Sequence, residues 1–106
     1  MILAENQIAE LVGLLRQDLH PEAIYLFGSQ ADGSAQVKDS DVDLCLIVRD
    51  EAEPYRQTVQ AYHALRKLPF PKDIIVRRSS RFHQRANWQS TLENEVKETG
   101  RLIYQA

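Results

Sequence analysis

Short apolar runs alternate along this chain with stripes of helical spacing, and that alternation limits the fold more than any other feature. Ala23–Phe27 (AIYLF) is rich in strand formers and stops at Gly28-Ser29, so it reads as a buried strand entering a turn. The run 41–48 (DVDLCLIV) reads as a second strand and 73–77 (DIIVR) as a third. Before the first run, Ile8, Leu11, Val12, Leu15 and Leu19 recur at steps of three and four, the stripe of an amphipathic helix that His20-Pro21 should end. Over 54–68, Tyr55, Val59, Tyr62, Leu65 and Leu68 give another such stripe, opened by Pro54 and closed by Pro69 and Pro71.

Past the third strand, Ser79 or Ser80 is a candidate cap for a helix through Arg81, Phe82, Arg85 and Trp88. A further helix through Leu92 and Val96 should stop at Gly100, and 102–104 can close the sheet as a short strand. The expected fold is α/β (α+β), a small mixed sheet flanked by helices. With 106 residues it is read as a single domain over 1–106.

Charge and cysteine content narrow the function classes. A net charge of -2 argues against a protein that coats nucleic acid, so direct nucleic-acid binding is not expected. Cys45 is the sole cysteine and lies in an apolar run, which suits a buried, reduced thiol and a cytoplasmic location. The N-terminus lacks a basic segment ahead of its apolar residues, and no run approaches a membrane span, so no membrane association is expected.

Asp41 and Asp43 break the pattern, because they open a run that otherwise reads as a buried strand. Residues two apart on a strand face the same way, about 6.6 Å apart. Two carboxylates so placed repel each other, and a divalent cation between them removes that cost. Asp73 opens the next strand, and neighbouring strands lie about 4.8 Å apart, so it can converge on the same point. An all-oxygen set favours Mg2+, with Mn2+ as the substitute, over zinc. Gly28 allows close backbone approach, and the N–H groups and hydroxyl at Ser29 can hold phosphate oxygens at a helix start.

The segment LFGSQADGSAQVKDSDVDLCLIV resembles the Gly-Ser…Asp-x-Asp signature of the polymerase β-type nucleotidyltransferase superfamily. Size and order of elements resemble its smallest branch, the minimal nucleotidyltransferase (MNT) antitoxin-like proteins. The resemblance implies that Gly28 and Ser29 contact phosphate and that Asp41 and Asp43 bind two metal ions. It also implies that Asp73, in KDIIV, completes the site and helps activate the attacking hydroxyl. It further implies ATP as co-substrate, AMP as the group moved, and a tyrosine of a HEPN-type toxin as acceptor. The partners are then an NTP and the toxin, in a homo-oligomer or a hetero-oligomer with the toxin.

The chain departs from that pattern in two places. Eleven residues, not ten, separate Ser29 from Asp41, and Gln30 and Asp32 stand where family members often carry arginine. This leaves a second reading, an antitoxin that neutralises its partner by binding, with weak or no catalysis. A third is transfer to a small molecule, for which the chain lacks the extra residues such relatives bring.

The remaining features have plainer readings. Arg77, Arg78, Arg81 and Arg85 form a basic stretch followed by Glu93, Glu95 and Glu98. It reads as a solvated face with balancing charge, or as an NTP-phosphate or partner contact. Lys38 has a candidate phosphate contact with little to support it. His20, His63 and His83 lack ligand spacing, and Trp88 and the tyrosines read as core or interface.

Overall fold

The computed structural model describes residues 2–32 and 41–106; Lys38 lies outside them. In chain order the elements are α1 (Glu5–Leu19), β1 (Ala23–Phe27), α2 (Ser29–Asp32), β2 (Val42–Val48), α3 (Pro54–Ala64), β3 (Lys72–Arg78), α4 (Ser79–Arg85), α5 (Leu92–Thr99) and β4 (Arg101–Gln105). The four strands form one mixed sheet in the order β3-β2-β1-β4. β1 is antiparallel to both β2 and β4, while β2 and β3 run parallel and are joined across α3. The expected mixed sheet with flanking helices is therefore the fold.

Strand alternation divides the core in two. Ile24, Leu26, Leu44, Leu46, Ile74 and Val76 face α1 and α3, where Leu11, Leu15, Ala61 and Leu65 meet them. Cys45 and Ile47 face the other way, against Phe82, Ala86 and Val96 of the α4–α5 side. α1 ends as His20-Pro21 predicted: His20 takes the left-handed conformation (φ 50°) and its N–H reaches Arg16 O at 3.2 Å. Gly100 ends α5, and a Cβ there would press on the carbonyls of Val96 and Leu26, so the turn into β4 needs glycine for space.

Three expectations are corrected. The stripe expected over 54–68 is split: Tyr55 is 76% and Val59 53% exposed and its Leu65 is buried, while Ala61 and Ala64, outside the stripe, fill the buried face of α3. Small side chains let α3 lie close to α1 and the sheet, which large ones on that face would prevent. Neither Ser79 nor Ser80 caps α4; Arg78 holds the cap position, and Asp50 Oδ1 accepts the Ser80 N–H at 2.9 Å. Trp88, expected within the helix through Arg81, Phe82 and Arg85, lies past the end of α4 and is exposed, which leaves the interface half of its reading.

Cys45 is a free, fully buried thiol, and burial pushes its pKa up to about 12. A thiol reagent at neutral pH is expected to label it only as fast as the protein unfolds, with labelling accelerating in denaturant. Immediate stoichiometric labelling of the native protein would contradict this packing.

Candidate active site

The sheet brings Asp43 and Asp73 together. They are direct partners in the parallel β2–β3 register, on the same face as Cys45 and Ile75, one position in from the start of each ladder. At the same end of the sheet β1 terminates, with Phe27 opposite Asp43. Gly28 follows with φ 66°, and α2 starts at Ser29. A Cβ on Gly28 would collide with Asp43 Oδ2, so the backbone at this turn is pressed against the carboxylate. Asp41 is exposed and precedes β2, whose first N–H, from Val42, bonds to Pro71 O at 2.9 Å.

The electrostatics of this end are strained in one direction. Burial, then the charge of Asp73, then that of Asp41, hold the Asp43 carboxyl above the ordinary carboxylate range. Oxygen-only donors carrying uncompensated negative charge fit a hard divalent cation. Among the described residues, however, no three His, Cys, Asp or Glu side chains stand in an arrangement that would itself enclose an ion. Asp43 and Asp73 make the pair, and Asp41 lies outside the strand that would fix it.

Tyr62, read from the sequence only as part of a helical stripe, contributes to this site. Its hydroxyl donates to Asp73 Oδ1 at 3.3 Å and accepts the Ile74 N–H at 3.0 Å. β3 is an edge strand, so this hydroxyl both occupies an outward-facing N–H and steadies the neighbouring carboxylate. The signal in the sequence was a tyrosine inside an apolar stripe, whose polar end still needs a partner. Gln30, in the place of a family arginine, has its Oε1 accepting the Leu3 N–H at 3.1 Å. The arginines at 77, 78, 81 and 85 are not at this end of the sheet. Arg77 and Arg78 close β3 at its C-terminal end and Arg81 and Arg85 follow on α4, away from the carboxylates at the strand's start.

Gly28→Ala tests the close approach. The left-handed backbone costs about 1–2 kcal/mol with a side chain, and the collision displaces Asp43. We expect lower thermal stability and a loss of activity of about 100-fold. Wild-type turnover in this variant would show that the contact is unimportant.

Comparison with known proteins places the family and the fold. The polymerase β nucleotidyltransferase family model matches residues 9–106. The chain belongs to that family. No curated protein matches it. Solved structures with the same fold include a toxin–antitoxin crystallised with AMP-PNP (21% identity, 93% of this chain and 73% of that one, TM-score 0.61). Others are a mutant of the toxin–antitoxin MntA-HpeT (19%, 93% and 73%, TM-score 0.60) and a candidate nucleotidyltransferase from Sulfolobus solfataricus (19%, 93% and 78%, TM-score 0.61). Among the described residues no helix is long and apolar enough to cross a membrane.

Proposed function

We propose that the chain is a Mg2+-dependent nucleotidyltransferase that moves AMP from ATP onto a hydroxyl of a protein partner and acts as an antitoxin. The observation that carries this reading is the pairing of Asp43 with Asp73 beside the Gly28 turn. Asp41, Asp43 and Asp73 would hold the metal, two Mg2+ ions or Mn2+ in their place. Bound there, it would neutralise phosphate charge and align the attack. Gly28 and Ser29 would contact the triphosphate through backbone N–H groups and the hydroxyl.

The acceptor oxygen attacks the α-phosphorus, the bond to the bridging oxygen breaks, and pyrophosphate leaves with that electron pair. Asp73 Oδ1 is bonded to Tyr62, which leaves Oδ2 to take the acceptor's proton. ATP as donor is supported by the structural neighbour that holds AMP-PNP, and a toxin as partner by the two toxin–antitoxin neighbours. A tyrosine of a HEPN-type toxin is the acceptor that the family resemblance implies. Tyr55 and Val59 lie exposed on the helix whose Tyr62 touches Asp73, which suits an acceptor large enough to cover them.

A second reading is supported by Gln30, whose side chain is engaged by Leu3 where an arginine would face phosphate. In that case the chain neutralises its partner by binding alone. The two readings separate by intact mass of the product of the adjacent gene, after incubation with this protein, ATP and Mg2+. Whole AMP units gained with the wild type and lost with Asp41→Asn/Asp43→Asn support transfer. No gain, with equal binding by both versions, supports binding alone.

A further inference from the structure

A recess of about 550 Å³ opens at the C-terminal end of β3, with Arg77, Arg78, Arg81 and Arg85 in its wall. Among the described residues its only lining carboxylate is Glu93, so four positive charges face one negative charge in a chain of net charge -2. Glu93 is 4% exposed. Its Oε2 receives Arg77 Nε at 3.1 Å and lies 3.3 Å from Arg85 Nε. Arg78 Nε donates to Ala52 O at 3.0 Å.

Three guanidinium groups are thus anchored through Nε, which fixes the planes in which their terminal nitrogens lie. Satisfying one buried carboxylate needs no more than two arginines, so Arg78 and Arg81 are unexplained by Glu93. Asp50, which binds the Ser80 N–H nearby, still leaves the positive charges in excess by two, four against two.

This recess cannot serve the triphosphate at the catalytic end. Arg77 lies four residues beyond Asp73 on the same strand, about 13 Å away, and α4 continues from there. Gly28 and Ser29 adjoin Asp43 at the opposite end of the strands.

We propose that the arginine recess is a second, metal-independent binding site for a diphosphate group, supplied either by inorganic pyrophosphate or by the phosphate tail of a nucleotide. The volume falls in the range of small-molecule sites. Fixed guanidinium planes match phosphate oxygens two at a time, and a diphosphate carries enough charge to answer the excess, which a lone carboxylate does not.

The test is a titration of the full-length protein in EDTA, followed by backbone amide NMR, with pyrophosphate, with ADP and with a hexaglutamate peptide. Pyrophosphate and ADP should shift amides of 77–85 and 90–93 saturably. Arg78→Ala/Arg81→Ala should weaken both by about tenfold or more, with melting temperature checked to show that the variant is folded. Asp41→Asn/Asp43→Asn should leave both unchanged. ADP binding more tightly than pyrophosphate identifies a nucleotide as the source, and equal or weaker binding identifies pyrophosphate. The proposal fails if shifts are confined to 28–30 and 43, or if the folded arginine variant binds like wild type. It also fails if hexaglutamate binds the same residues more tightly than pyrophosphate, which would make the recess a docking surface for an acidic protein segment.

Discussion

Asp41→Asn/Asp43→Asn is expected to abolish nucleotidyl transfer, by about 1,000-fold or more, while raising the melting temperature of the metal-free protein. The second effect separates loss of chemistry from loss of fold. Asp43 has its pKa raised by burial and then by the charges of Asp73 and Asp41. In the unfolded chain it titrates at its ordinary value. Between that value and the raised one, the native state holds the extra proton, so stability falls as pH rises through the window. The penalty is present above the raised value, and asparagine removes it.

Like charges at about 4 Å in a water-like medium repel by about 1 kcal/mol, or about 4–8 °C for a domain of this size. The gain of the variant should therefore vanish in acid and grow as pH rises. Mg2+ should reverse the order, stabilising the wild type by mass action and leaving the variant unmoved. A variant that melts lower than wild type without metal would contradict the electrostatic account of this site.

Phe82→Ala is expected to have the largest effect on stability. Phe82 is fully buried, stacks on Tyr25 at 5.7 Å between ring centres, and packs with Cys45, Ile47, Ala86 and Val96. Its removal leaves a cavity under the α4–α5 layer, costing about 3–5 kcal/mol of a total on the order of 5–15 kcal/mol. Thermal denaturation should shift down by more than about 10 °C. A shift below about 3 °C would mean that α4 is not held to the sheet by this ring.

The strands and the carboxylate pair were legible because their signals are local. AIYLF, DVDLCLIV and DIIVR each carry strand formers, and Asp43 and Asp73 occupy equivalent places at two strand starts, so parallel pairing alone brings them opposite each other. The buried side of α3 was not legible. Hydrophobic spacing favours the large residues Tyr55 and Val59, whereas close packing selects Ala61 and Ala64.

The environment of Glu93 was also hidden. Glu93, Glu95 and Glu98 look alike along the chain, and only Glu93 meets arginines from both β3 and α4. Burial alone would raise its pKa, but hydrogen bonds from its own backbone N–H, Arg77 and Arg85 more than offset this and lower it. Tyr62 was hidden for a similar reason, since its partner, Asp73, is eleven residues away on an edge strand.

The central claim is that the paired carboxylates hold a divalent cation. Titration of Mn2+ into the protein, followed by the EPR signal of the free ion, addresses it directly. Saturable uptake by the wild type, strengthened by ATP and lost in Asp41→Asn/Asp43→Asn, is the predicted result. Uptake by neither protein, or equal uptake by both, would contradict it.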